Sequence, residues 1–290
     1  MRRISVSVLL LAAACTSAVT VNSRYGKVVE RCTANVSKKH VWIFKQRHQD
    51  VKIDTQLKVK SRDLPQYENQ HAIYQQLDDW AKKKFLSGVV AEGCEGDLEK
   101  APKIFNGWTL ADLKQAAVKP EFDEILTSVP FKLEAKYGAD LLTTCGDDEA
   151  LIRENLLAVS DQRGTVGYLL RLVQYSKDPV RVKLYLDGAI ETFKMPAGTT
   201  VLEAIERLKV ELKKVVARML ESVEKRNAKV VETVFKLPDG NIAVVFGGLH
   251  ASGLVKLLNE KGLGCSVVEP AGYKDDERQM LQELDALLSK

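Results

Sequence analysis

Two widely separated stretches of uninterrupted apolar residues are typical of strands that are buried on both faces of a parallel sheet. They are HVWIF at 40–44 and IAVVF at 242–246. Each is followed by an amphipathic helical pattern and then by another short apolar run. These patterns lie at 67–86 and 88–91 in the first case, and at 252–261 and 265–270 in the second. The sequence therefore predicts two strand–helix–strand units that supply parallel strands to one sheet.

Helical patterns dominate the region between the two units. Prolines and glycines divide residues 97–198 into short amphipathic segments, which predict a mostly helical insertion. A longer helical pattern follows from Ala197 to Phe235, and Thr200 with Glu203 has the spacing of a capping box at its start. A last helix is predicted at 275–289. The predicted fold class is α/β, with a central, mostly parallel sheet made of two βαβ-like units and a helical insertion at about 97–198.

The first residues, MRRISVSVLLLAAACTSAVT, have the order of a secretory signal: arginines, a short apolar stretch and then small residues. The LLLAAAC end also resembles a lipoprotein signal, with Cys15 as the lipidated residue. A third alternative is an apolar N-terminus without a targeting role. We expect residues 1–18 to be a signal of either kind, 19–38 a lead-in segment and 39–290 a single α/β domain. The protein is then exported, as a periplasmic, secreted or membrane-anchored chain.

Charge argues against a nucleic-acid partner. Without Arg2 and Arg3 of the leader, Lys+Arg falls from 43 to 41 against 39 Asp+Glu, which leaves a net charge near +2. No dense basic tract is present. Outside the N-terminus there is no apolar run of 18 residues, so the predicted membrane contact is limited to a lipid on Cys15.

Four cysteines lie beyond Cys15, namely Cys32, Cys94, Cys145 and Cys265, and no CxxC pair is among them. This spacing excludes a zinc ribbon and a thioredoxin-type motif. Export permits disulfides, and Cys94 could pair with Cys145, but the sequence does not decide the pairing.

Three polar residues follow predicted strands. His48 comes shortly after 40–44, Glu92 directly after 88–91, and His250 after 242–246. Because ligands bind at the carboxyl edge of parallel sheets, these side chains are expected to converge there. Two imidazoles and a carboxylate can hold a divalent metal with a position left for water, or can act without metal as acid and base.

Gly247 and Gly248 precede His250 and would let a ligand approach the backbone closely. Simpler interpretations exist for each residue: His250 as a loop or capping residue, Glu92 as a turn residue or a lysine partner, and the glycines as a tight turn.

Structural roles are expected for other polar residues. His40 is predicted to be solvated ahead of the first strand, and His71 to be structural or on the surface. Asp147 and Asp148 are predicted to cap a helix rather than bind metal, and the SDQRG sequence around Asp161 to form a turn.

The segments EKRNAKVVETVF and NIAVVFGGLHASGLVKLLNEKGLGCSVVEP resemble the C-terminal portion of the TraB/GumN superfamily. The superfamily also includes Tiki proteases, erythromycin-esterase-like enzymes and the haem-binding lipoprotein ChaN. Its helix, strand and G-x-x-H pattern correspond here to Arg226, Asn227, Gly247, His250 and Gly253.

The stretch GVVAEGCEG resembles the second strand of the family, which places its glutamate at Glu92. The first family histidine would be His48, although Lys45 stands where the family often has glycine. The resemblance covers about 40–95 and 215–270 and leaves the middle of the chain unexplained.

The resemblance implies an exported, metal-dependent hydrolase, a peptidase or esterase, acting on a peptide or small-molecule substrate. His48, Glu92 and His250 would hold a divalent metal or serve as acid and base. Arg226 would neutralise developing negative charge, with Asn227 orienting it. One alternative is a non-catalytic envelope lipoprotein that binds haem or another small ligand, and another is a degenerate member kept for interaction only.

Overall fold

A computed structural model describes residues 19–33, 37–47, 62, 64–100 and 109–288. These residues form one six-stranded sheet in the order β1-β6-β2-β5-β3-β4. β1 pairs antiparallel with β6, and the other pairs are parallel. The strands are β1 (Gly26–Arg31), β2 (Lys39–Gln46), β3 (Leu86–Ala91), β4 (Thr143–Cys145), β5 (Gly240–Gly247) and β6 (Gly264–Pro270).

Eight α-helices accompany this sheet in the described part of the chain. They are α1 (Tyr67–Lys82), α2 (Leu110–Ala116), α3 (Val129–Tyr137), α4 (Glu149–Gln174), α5 (Pro179–Thr192), α6 (Val201–Lys236), α7 (His250–Glu260) and α8 (Asp276–Leu288). Short 3-10 helices lie at Leu98–Lys100, Pro120–Glu124 and Gly138–Asp140. The prediction of an α/β fold with a mostly parallel sheet is confirmed.

The two strand–helix–strand units interleave instead of lying side by side. β5 lies between β2 and β3, while β2 lies between β5 and β6. The register pairs Val41 with Ile242 and Gln46 with Gly247. The carboxyl ends of two strands that are about 200 residues apart in sequence are therefore brought level at one edge of the sheet.

Side chains of the central strands alternate between two apolar layers, as strand geometry requires. Trp42 and Phe44 pack with α1 and its neighbours on one face. Val41 and Ile43 pack on the other face with the C-terminal part of α6 and with α7. Burial on both sides explains why these strands are continuous apolar runs.

Helix α6 connects a helical layer to the sheet. Thr200 and Glu203 form the predicted capping box at its start. Its first half buries Ala204, Leu208 and Leu212 with residues of α4, α5 and α8. Its second half packs Val230 and Val234 against the sheet. Residues between these halves, including Arg226 and Asn227, lie over the carboxyl edge.

Two elements of the sheet were not predicted. The described part of the 97–198 region is mostly helical, as predicted, but β4 adds an edge strand that pairs with β3 from Val89 to Ala91. Three residues are too few for a periodic pattern, so β4 has no recognisable hydrophobic signal. Strand β1 lies within 19–38, the segment that was expected to be a lead-in to the domain.

Two single-residue predictions are corrected as well. His40 is part of β2, where its Nε2 lies 3.0 Å from Oγ of Ser266, and burial lowers the pKa of this half-buried imidazole. Asp161 lies inside α4, so the SDQRG sequence is helical and forms no turn. Its carboxylate forms an ion pair with Arg218 at 3.2 Å. The glycine of this sequence suggested a turn, but a long helix can include a glycine at a modest cost in free energy.

Two disulfides are present in the described residues, one at each edge of the sheet. Cys94–Cys145 links the loop that follows β3 to the last residue of β4, and this is the pairing that the sequence left undecided. Cys32–Cys265 links the end of β1 to the start of β6, at the amino edge of the parallel strands. None of the helices among the described residues is both long and apolar enough to cross a lipid bilayer.

Candidate functional site

Five polar side chains meet at the carboxyl edge of the sheet, on the face that α6 and α7 cover. Glu92 follows β3 and Asp147 follows β4, while Arg226 and Asn227 come from α6 and His250 begins α7. Four of them expose 5% of their surface or less, and the side chain of Glu92 exposes 9%. We call this group the edge cluster.

Strand alternation directs Glu92 into the edge cluster. Val90, two residues earlier, packs on the α6–α7 face, so Glu92 points to the same side. Its Oε2 accepts the backbone N–H of Gly247 at 2.6 Å, at the end of the adjacent β5. Its Oε1 accepts a hydrogen bond from Nη2 of Arg226 at 2.8 Å. Both bonds stabilise the ionised carboxylate and fix its orientation.

Asp147 is the second anion that binds Arg226. Nε of Arg226 lies 2.9 Å from Oδ1, and Nη2 lies 2.6 Å from Oδ2 of this carboxylate, in a bidentate pair. The backbone N–H groups of Gly93 and Asp148 also donate to it, each at 3.1 Å. Burial alone would lower the pKa of Arg226, but the carboxylates of Glu92 and Asp147 outweigh it and raise that pKa.

Asn227 binds His250, whereas the sequence led us to expect that it would orient Arg226. Nδ1 of His250 lies 2.7 Å from Oδ1 of Asn227. With this oxygen as acceptor, Nδ1 carries the ring proton, and Nε2 faces Oε1 of Glu92 at 3.4 Å. Gly253 permits this arrangement, because a Cβ there would collide with the amide nitrogen of Asn227. The edge of the Phe246 ring borders the imidazole, with 5.2 Å between ring centroids.

Two hydrogen-bond acceptors face each other in the edge cluster. One is Oε1 of the Glu92 carboxylate, and the other is Nε2 of His250, which carries no proton when Nδ1 donates to Asn227. A proton or a cation between two acceptors can bind both of them.

The donor set fits one side of a divalent metal site. In tetrahedral coordination with metal–ligand bonds of about 2.1 Å, two ligand atoms lie roughly 3.4 Å from each other. The distance between Nε2 of His250 and Oε1 of Glu92 matches this value. A direct hydrogen bond of this length would be weak. Within the residues that the structure describes, no group of three metal-ligating side chains is found. His48, the third ligand expected from the sequence, lies outside the described residues.

The two glycines before His250 have different surroundings. Gly247 contributes its N–H to Glu92. Gly248 faces the hydroxyl of Tyr273, which occupies the space that a Cβ would take. The structure thus places a protein side chain where the sequence led us to expect an approaching ligand. The next amide, that of Leu249, donates to Glu277 of α8 at 3.1 Å.

Asp147 was missed as a member of the edge cluster. Of the two aspartates expected to cap a helix, Asp148 does so by accepting the N–H of Leu151 at 3.1 Å. Asp147 instead turns inward to Arg226. The available signal was the doubled aspartate, since one capping residue suffices for one helix.

Comparisons of this chain with protein-family models, curated proteins and solved structures find no match. The resemblance to the TraB/GumN superfamily therefore remains a prediction that rests on the residues quoted for it.

Replacing Arg226 tests whether the edge cluster is an ion network. Arg226→Met leaves two buried carboxylates without their cation, so the free energy of unfolding should fall by about 3–5 kcal/mol. The matched control is Arg218→Met on the same helix. Arg218 pairs with Asp161 at 3.2 Å with both side chains about half exposed, 50% and 52%, and should lose less than about 1 kcal/mol. Urea unfolding measures both, and equal losses would contradict a buried network.

Proposed function

We propose that this protein is an exported hydrolase of the peptidase or esterase type, with Glu92 and His250 as its reacting pair. The observation that supports this most is the approach of Nε2 of His250 to Oε1 of Glu92, each held from behind by its own partner. A prepared base beside a fixed carboxylate, at the carboxyl edge of a parallel sheet, is suited to activating water for attack on a carbonyl.

The parts of the two residues follow from their hydrogen bonds. Asn227 keeps the proton of His250 on Nδ1, so Nε2 is the atom that accepts a proton from water. The imidazolium formed in this step lies next to the negative charge of Glu92, which stabilises it. Arg226 and the N–H of Gly247 hold the carboxylate of Glu92 in place. Arg226 thus acts as a positioning residue in this proposal.

The proposed mechanism has two forms: one works without metal, as described above, and in the other a divalent metal takes part. His250 and Glu92 would supply two ligands, and His48 is the proposed third. When bound, such an ion would lower the pKa of a coordinated water and polarise the substrate carbonyl. The residues of the edge cluster keep the same orienting contacts in either form.

Export is supported by the two disulfides, because such bonds persist in oxidising compartments. The signal at 1–18 and the lipidation of Cys15 lie outside the described residues and remain predictions.

Generic p-nitrophenyl ester and peptide substrates test the hydrolase proposal. His250→Gln and Glu92→Gln should each lower kcat/KM by about 10²–10⁴-fold, since each removes a group from the proton-transfer step. His40→Gln is the matched control. It changes a histidine at the amino edge, whose amide can still bond Ser266, and it should retain activity.

A chelator distinguishes the two forms of the mechanism. If metal is required, chelation abolishes hydrolysis and added Zn²⁺ restores it. Chelator-resistant activity that still depends on His250 supports the metal-free form. The hydrolase proposal fails if no substrate is turned over, or if His250→Gln is as active as the wild type.

Ligand binding without turnover is a second candidate function, and a cleft on the far face of α1 favours it. The cleft measures about 500 Å³ and is lined by Tyr25, Arg62, Tyr67, His71, Gln75, Pro120, Asp123 and Glu124. The rings of Tyr67 and His71 stack at 5.3 Å with an angle of 12°. Nδ1 of His71 is buried without a hydrogen-bond partner among the described residues. Histidine and tyrosine are axial ligands of haem iron, and stacked rings suit a planar ligand.

Titration with haem tests this candidate. A Soret band should appear with the wild type and be lost in His71→Ala, whereas His250→Ala should keep it if the cleft is the binding site. If the wild-type protein gives no Soret band, the haem-binding hypothesis is wrong. If the band depends on His250, haem binds at the edge cluster and not in the cleft.

A further inference from the structure

We propose that the Cys94–Cys145 disulfide, together with Asp147, positions Arg226 and Glu92, so that the edge cluster is assembled only in the oxidised protein. This inference rests on the proposed function, because it concerns the regulation of the same site. The other disulfide, Cys32–Cys265, has no such part.

The disulfide joins the loop that carries Glu92 to the end of β4, where the loop that carries Asp147 begins. Glu92 stands two residues before Cys94, and Asp147 stands two residues after Cys145. Between the loops, the N–H of Asp147 donates to the carbonyl of Cys94 at 3.1 Å, and the N–H of Cys145 donates to that of Gly96 at 3.0 Å. The N–H of Gly93 also donates a hydrogen bond to Oδ2 of Asp147 at 3.1 Å. The covalent link and the ion pairs thus constrain the same few residues.

Further hydrogen bonds join the Asp147 loop to the Glu92 loop, such as the N–H of Gly146 to the carbonyl of Ala91 at 2.8 Å and the N–H of Glu149 to Oε2 of Glu95 at 2.9 Å, but the disulfide is the covalent cross-link between them. β4 has only three residues and lies at the edge of the sheet, with β3 as its single strand neighbour. Two carboxylates must also be kept close to one guanidinium, although their charges repel each other. A disulfide between residues 51 apart in sequence removes much of the freedom of the intervening chain.

Reduction is expected to release this constraint. A dithiol such as dithiothreitol transfers two electrons and two protons, the Sγ–Sγ bond breaks into two thiols, and the reductant closes to a cyclic disulfide. Without the link, Asp147 can leave Arg226, and Arg226 no longer holds Oε1 of Glu92 opposite His250. An exported protein would keep the bond, whereas a reducing compartment would leave the site unassembled.

The histidine rings report on the site without any need for turnover. The chain has only four histidines, so long-range ¹H–¹⁵N spectra of histidine-labelled protein are simple, and His250→Gln assigns the signals of interest. In the oxidised wild type, the His250 ring should show a proton on Nδ1, bonded to Asn227. In Cys94→Ser/Cys145→Ser, these signals should shift or be lost, and hydrolysis should fall at least tenfold.

The matched control is Cys32→Ser/Cys265→Ser, which removes the other disulfide at the opposite edge of the sheet. Its His250 signals should match those of the wild type. Circular dichroism checks that each variant is folded. If Cys94→Ser/Cys145→Ser does not fold, Asp147→Asn takes its place: it keeps the disulfide and the size of the side chain, and it should shift the His250 signals as well.

Three results would overturn the inference. They are unchanged His250 signals in a folded Cys94→Ser/Cys145→Ser protein, unchanged signals in Asp147→Asn, and equal changes in the control pair. A wild type that hydrolyses nothing, with His250 signals that move as expected, refutes the proposed function and leaves the positioning role of the disulfide standing.

Discussion

The guanidinium of Arg226 is enclosed by protein, and the need to neutralise it governs the arrangement of the carboxyl edge. Asp147 accepts hydrogen bonds from its Nε and Nη2, and Glu92 accepts another from Nη2. These bonds fix one oxygen of Glu92 opposite Nε2 of His250 at 3.4 Å. The same ion pairs that stabilise the cluster therefore also set the distance between this carboxylate and the imidazole.

The sheet supplies the frame for this ion network. Because the two strand–helix–strand units interleave, β5 ends between β2 and β3, and Gly247 can donate its N–H directly to Glu92. α6 then crosses the edge and brings Arg226 and Asn227 together, one toward the carboxylates and the other toward His250. Interleaving and one long helix thus convert residues that are distant in sequence into a single buried group.

The sequence predicted the parts of this arrangement that depend on local pattern. Apolar runs gave β2 and β5, and the capping box gave the start of α6. Glu92 and His250 were predicted to lie together because each comes within a few residues of the end of an apolar strand. The interleaved strand order was beyond the sequence, because hydrophobic pattern specifies which face is buried but not which strand is the neighbour. Asp147 was missed for a related reason: its partner is 79 residues away and β4 is too short to be recognised.

Crystallography of the oxidised protein after a zinc soak tests the central claim most directly, that Glu92 and His250 face each other across a position for a positive charge. The account predicts an anomalous peak within about 2.0–2.2 Å of both Nε2 of His250 and Oε1 of Glu92, with Asn227 still bonded to Nδ1. An imidazole turned away from Glu92, with no peak between them, would contradict it.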